Sequence, residues 1–226
     1  HKTDWWPWGG IVGDVYLVET PNDYIRNAYL QLNPDNFSEA VFKLQMATKS
    51  SRQKVILEIP ELNYKEEFGT DSSGFIQKNI TISPELWSPS NPKLYKVIIS
   101  SQNESISDEI GFRSIKTKGQ KIYLNNNEIK FKGIAMHSEP IGAPGPAYSK
   151  EHFKKLLATA ADLNINFVRA AHYPYTRHLS KVADQIGLMV WEEIPVYWNI
   201  DWQNPDTLKI AKDQINRLVQ RDQNRA

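Results

Sequence analysis

The sequence predicts two architectures in succession: an immunoglobulin-like β-sandwich over residues 21–112, then an incomplete (β/α)8 TIM barrel over residues 113–226. Three observations carry this. Short runs with period-two alternation recur at roughly 8–12-residue spacing before residue 112, separated by turn residues. From Gly133 the apolar period switches to that of helices alternating with short strands. And three successive strand ends carry ionisable residues.

The elements follow in order. Asp14-Val15-Tyr16-Leu17-Val18 reads as a strand that cannot bury its face alone. With Asp4-Trp5-Trp6-Pro7-Trp8-Gly9-Gly10 before it, residues 1–20 look like the tail of a preceding domain. Runs at Ala28–Leu32, Val41–Ala47, Val55–Ile59, Phe75–Ile82, Leu94–Ser100 and Ile106–Ile110 follow. In the second, Phe42, Leu44 and Met46 alternate with Val41, Lys43, Gln45 and Ala47, as in a half-buried strand. This is sandwich patterning without the cysteine pair of antibody domains. Lys121–Leu124 and Glu128–Phe131 flank Asn125-Asn126-Asn127. Asparagine tolerates positive φ, so a tight hairpin is predicted there.

The Gly133–His137 strand comes next, then a loop with Gly142, Pro144, Gly145 and Pro146. Ser149 is placed to cap a helix whose stripe is Phe153, Leu156, Leu157, Ala160 and Ala161. Strand Phe167–Ala170 precedes a helix with Leu179, Val182, Ala183 and Ile186, closed by Gly187. Strand Leu188–Trp191 precedes a third helix, opened by Asn204-Pro205 and carrying Leu208, Ala211, Ile215, Leu218 and Val219. The order β-α-β-α-β-α means parallel strands with right-handed crossovers. A closed barrel takes about 250 residues, so these supply roughly three of eight units.

Bulk numbers narrow the partners. Net charge is +1, from 27 basic and 26 acidic residues, which gives no electrostatic case for nucleic acid or an anionic membrane. With no cysteine, neither a disulfide framework nor a thiolate metal site is available. No apolar run reaches the ~18 residues of a membrane span. The compartment stays open between bacterial periplasm and cytoplasm. Seven Trp, ten Tyr and eight Phe could stack on sugar rings or fill cores.

The strand ends are the chemical signal. They are Gly133-Ile134-Ala135-Met136-His137, Asn166-Phe167-Val168-Arg169-Ala170-Ala171-His172-Tyr173-Pro174 and Val190-Trp191-Glu192-Glu193-Ile194-Pro195. Charged groups at the mouth of an apolar strand are costly to bury without partners. Glu192 and Glu193 do not qualify as a catalytic couple, because adjacent strand residues point to opposite faces. One faces the site, the other pairs at the barrel wall; Glu192 is assigned to the site. Trp191, Tyr197, Trp198 and Trp202 offer sugar-stacking walls or loop packing. His137 and His172 lack His-x-His, Glu-x-x-His or His-Glu-x-x-His spacing, so no metal site is expected.

The signatures together resemble glycoside hydrolase family 2, the family of β-galactosidases, β-glucuronidases and β-mannosidases. They run in order: Gly9-Gly10-Ile11 with Asp14–Leu17; Leu86-Trp87-Ser88-Pro89 with Pro92, Leu94 and Tyr95; Gly111-Phe112-Arg113, Leu124-Asn125 and Phe131-Lys132-Gly133; His137; Asn166–Pro174; and Gly187–Glu192. Gly13 stands where the family usually has arginine, and Ala171 where many members have serine. The resemblance implies that residues 1–20 end a sugar-binding jelly roll. It implies that Arg169 hydrogen-bonds a nucleophilic carboxylate and that His137 and His172 contact sugar hydroxyls. Substrate-binding residues are thus expected at His137, Arg169, His172, Glu192 and Trp198.

It further implies that both catalytic glutamates lie beyond Ala226, so that this stretch has no catalytic residue of its own and is inactive alone. Metal-dependent members carry Glu and His where this chain has Val196-Tyr197-Trp198, which implies no Mg²⁺ and no other cofactor. The expected partner is carbohydrate, in a retaining exo-β-glycosidase for terminal β-galactosides or β-glucuronides. Self-association over the open barrel edge is also expected. Two other readings are a non-catalytic carbohydrate-binding or scaffolding module and a metal-dependent barrel hydrolase.

Overall fold

A computed structural model of the chain describes residues 8–11, 13–48, 52–140, 142 and 145–226, without the Ala161 side chain. Asp4–Pro7 of the tryptophan-rich stretch and Pro144 of the later loop lie outside them. The chain divides into two compact units, one built on residues 17–129 and one on residues 130–225.

The first unit is a two-sheet sandwich. One sheet has the order β1 (Tyr24–Leu32), β2 (Glu39–Ala47), β5 (Phe75–Thr81). The other has the order β4 (Tyr64–Gly69), β3 (Lys54–Ile59), β6 (Tyr95–Ser100), β7 (Ser105–Ile110). All pairs are antiparallel, and the chain changes sheet between β2 and β3, β4 and β5, and β5 and β6. The alternation in β2 works as read: Ala40, Phe42, Leu44 and Met46 are buried and meet Leu30, Val55, Leu57 and Ile59 in one core.

Strand β4 went unread in the sequence for a physical reason. Only Phe68 of its six residues is buried, and it lies at a sheet edge, so it lacks an apolar period. Residues 14–20 form no strand. Val15, Tyr16, Leu17 and Val18 are exposed, in contrast to the strand expected there.

A small antiparallel sheet of β8 (Ile115–Lys118), β9 (Lys121–Leu124) and β10 (Asn127–Glu128) belongs to this unit. The compact unit thus runs past residue 113 to residue 129. Contacts hold this segment to the sandwich: Asn125 Nδ2 donates to Trp87 O at 2.9 Å, Ser114 Oγ to Pro34 O at 3.3 Å, and Lys116 pairs with Asp35 at 2.8 Å. The hairpin turn places Asn125 and Asn126 at φ 51° and 66°, the conformation for which asparagine suits the site. Trp87 is fully buried, its N–H bonded to Phe112 O.

The second unit is a parallel sheet in the order β11 (Gly133–Met136), β12 (Phe167–Ala170), β13 (Met189–Glu192). Helix α1 (Lys150–Ala161) joins the first pair and α2 (Arg177–Ile186) the second; α3 (Pro205–Asp222) follows. Each boundary has its cap. Ser149 Oγ accepts from His152 N, Asn204 Oδ1 accepts from Asp206 N, and Gly187 closes α2 at φ 78°. Phe153, Leu157 and Ala160 of α1 pack with Leu179, Val182 and Ala183 of α2 against Val168 and Ala170. On α3 only Leu218 is buried; Leu208, Ile215 and Val219 remain exposed. Among the described residues, no helix is long and apolar enough to cross a membrane.

Candidate functional site

Register decides which side chains meet. Ala135, Arg169 and Trp191 lie opposite one another across the three strands, as do Met136, Ala170 and Glu192. In a parallel ladder such residues share a face. Ala170 and Val168 are fully buried toward the helices, so Glu192 lies on the helix side and Arg169 on the other. The next residue, Glu193, returns to Arg169's side.

The cluster that results is Arg169, His172 and Glu193. Arg169 Nε donates to Glu193 Oε1 at 2.5 Å and Nη2 to Oε2 at 3.2 Å, a bidentate fork. His172 Nδ1 lies 3.4 Å from Glu193 Oε2 and 3.5 Å from Arg169 Nη2. Partial burial alone would raise the Glu193 carboxyl, but the hydrogen bonds and charges of Arg169 and His172 outweigh it. They hold Glu193 below the ordinary carboxylate range. A fixed, ionised carboxylate thus sits between a guanidinium and an imidazole, at the carboxyl ends of parallel strands.

Aromatic rings extend the cluster in both directions. His137 stands 5.5 Å from His172, ring centroid to centroid, and 6.4 Å from Tyr173. Tyr197 lies 5.8 Å from His172 and meets Trp198 edge-on at 5.5 Å. Trp198 adopts φ 58° and is two-thirds exposed. Trp191 and Trp202 also expose their indoles.

Of the residues singled out in the sequence, His137, Arg169 and His172 come together, and Trp198 joins through Tyr197. Glu192 does not. Its carboxylate lies beneath the sheet, where Arg221 Nη2 reaches Oε1 at 3.0 Å. Burial and the charge of Asp222 push it up to about 8, against the pull of Arg221. Strand parity explains the displacement: Glu192 follows Ala170 to the helix side, and its neighbour takes the open side. Among the described residues, no three His, Cys, Asp or Glu side chains converge as a metal would need.

A β-sandwich preceding a parallel β/α array with charged strand ends defines a modular chain. Comparison with known proteins gives the class its family. Residues 24–113 match the family model described as "Glycosyl hydrolases family 2", and residues 115–226 match "Glycosyl hydrolases family 2, TIM barrel domain". A β-galactosidase of Thermoanaerobacterium thermosulfurigenes is 29% identical over 244 residues, covering 99% of this chain and 33% of that protein. A β-galactosidase of Actinobacillus pleuropneumoniae is 32% identical over 189 residues, covering 83% and 18%. The crystal structure of a β-galacturonidase from Eisenbergiella tayi bound to galacturonate shares the fold, with TM-score 0.78 and 23% identity, covering 92% of this chain and 39% of that one. The chain belongs to glycoside hydrolase family 2. It spans a third or less of the length of these two curated relatives.

Proposed function

We propose that these residues are the central part of a retaining exo-β-glycosidase that removes terminal β-galactosyl or β-glucuronyl groups, with the second unit opening its TIM barrel. The supporting observation is the Arg169–His172–Glu193 cluster at the ends of parallel strands in a family 2 chain. Such enzymes need two carboxyls roughly 5–5.5 Å apart, one to protonate the leaving oxygen and one to attack the anomeric carbon. Glu192 and Glu193 are not that pair, since each is engaged by a different arginine on opposite sides of β13. The acid/base and nucleophile glutamates are assigned to residues after Ala226.

The geometry supports the following roles. Glu193 occupies Nε and Nη2 of Arg169, so Nη1 is assigned to the nucleophilic carboxylate, which a neighbouring cation keeps ionised. His137 and His172 are assigned to sugar hydroxyls, and Trp198 to the apolar face of a sugar ring. Glu193 takes the site-facing place expected for Glu192 and is assigned to orient Arg169. The free edge of β13, which pairs only with β12 among the described residues, is assigned to a further strand or a second chain.

The test is turnover of aryl β-galactosides and β-glucuronides. The 226 residues alone are expected to be inert, and hydrolysis by them would overturn the assignment of the glutamates. The longer protein containing them is expected to hydrolyse one of the two with retention. Saturable calorimetric binding of galactose or glucuronate without hydrolysis by that protein would favour a non-catalytic carbohydrate-binding module instead.

A further inference from the structure

Three strand ends are tied together beneath the site by two residues that do not belong to it. Tyr175 is buried, and its hydroxyl lies 2.7 Å from Met136 O at the end of β11 and 3.1 Å from Ala171 O just past β12. Its own carbonyl accepts from Arg221 Nη1 at 2.5 Å. Arg221 Nη2 then bonds Glu192 Oε1, on the last residue of β13, at 3.0 Å.

The arginine is itself anchored. Arg221 Nε meets Asp222 Oδ2 at 2.6 Å, and Asp222 Oδ1 accepts from Ser180 Oγ of α2 at 3.0 Å. Carbonyls at strand ends have left the ladder and need donors, and a largely buried carboxyl needs a hydrogen-bond partner. Tyr175 and Arg221 meet both needs with one connected set of bonds. The set spans all three strands and helices α2 and α3.

The consequence for the site runs through parity. Glu192 and Glu193 are adjacent and point to opposite sides of the sheet. While Arg221 holds Glu192 below, Glu193 is turned toward Arg169 and His172 above. If Glu192 were released, the backbone at 192–193 could rotate, and Glu193 would lose its fixed distance to Arg169. Tyr175 fixes the other partner, because the ends of β11 and β12 carry His137 and His172.

We propose that Tyr175 and Arg221 are positioning residues that set the geometry of the Arg169–His172–Glu193 cluster from the opposite side of the sheet. The proposal rests on the carbohydrate reading only in what the cluster is for. The positioning itself is testable without sugar.

The experiment is a ¹³C NMR titration of the Glu193 carboxyl in the 226-residue chain, for the parent and for Tyr175→Phe, Arg221→Met and Arg221→Lys. In the parent, Glu193 titrates below the ordinary range. In Tyr175→Phe and Arg221→Met it is expected to rise by about one pH unit as the contact with Arg169 loosens. Arg221→Lys keeps a cationic donor beside Glu192 and is expected to recover part of that change. A general loss of stability would not move the titration of a carboxyl in molecules that remain folded. An unmoved Glu193 in folded variants overturns the proposal. Should Arg221→Met fail to fold, Tyr175→Phe decides, since it removes one hydroxyl.

Calorimetry with galactose and glucuronate on the longer protein carrying the same substitutions separates the two ideas. Weakened sugar binding with Glu193 unmoved overturns the positioning role and leaves the carbohydrate reading standing. A moved Glu193 in a chain that binds neither sugar supports the positioning role and counts against the carbohydrate reading.

Discussion

Gly133 opens β11, directly opposite Phe167 of β12. A Cβ there would stand 2.3 Å from Phe167 O, 2.7 Å from Phe167 Cδ1 and 2.9 Å from Phe167 C. Carbon and carbonyl oxygen approach no closer than roughly 3.3 Å, so Gly133→Ala demands about 1 Å of movement. The nearest obstacle is backbone, and no rotamer change relieves it. Overpacking of this kind costs about 1–3 kcal/mol. Losing a ladder hydrogen bond as the strands part adds about 1 kcal/mol.

The expected destabilisation of the second unit is therefore about 2–4 kcal/mol. At roughly 4–8 °C per kcal/mol for a unit of this size, Tm should fall by about 8–32 °C. Scanning calorimetry measures it, with hydrogen exchange of residues 133–136 and 167–170 locating the damage. Gly69→Ala is the control, since a Cβ there meets nothing within 4 Å. A Gly133→Ala chain that melts with the parent, with unchanged exchange, would mean that the strands have room for a Cβ at this position. The same result accounts for the glycine in Phe131-Lys132-Gly133: the adjacent strand occupies the space of its side chain.

Three further outcomes are expected. Glu192 is raised to about 8 in the folded chain against an ordinary 4.5, so the folded state holds its proton over that interval. Stability from this group is fully present below the lower value and lost as pH rises through the upper one. Glu192→Gln should flatten that part of a urea-midpoint profile, and an unchanged slope between pH 5 and 8 would count against it. Gly187→Ala places a side chain at φ 78° and should cost about 1–2 kcal/mol, read by circular dichroism melting. The free edge of β13 should give concentration-dependent association in light scattering, and a monodisperse monomer at all concentrations would exclude it.

Much of the fold was legible because its signals are local. Phe42, Leu44 and Met46 alternate within one strand. Ser149, Gly187 and Asn204 mark helix ends by the chemistry of their own backbone. Asn125 and Asn126 take the positive φ that their hairpin needs. Strand β4 carried no such signal, because an edge strand with one buried residue has no period to read. The apolar stripe on α3 was legible as a helix, yet its sequence could not show that Leu208, Ile215 and Val219 stay uncovered.

The candidate site divides in the same way. The order of the strand ends, and His137, Arg169, His172 and a glutamate pair upon them, can be read along the chain. So can the fact that the two glutamates cannot act on the same side, since alternation along a strand is a property of the backbone. Which glutamate faces which way depends on contacts between distant segments. Glu193 finds Arg169 across 24 residues of chain, and Glu192 finds Arg221 across 29. Those choices depend on strand register, on the carbonyl that Tyr175 offers and on where α3 lays its last turn, and they follow from distances between segments that no local pattern encodes.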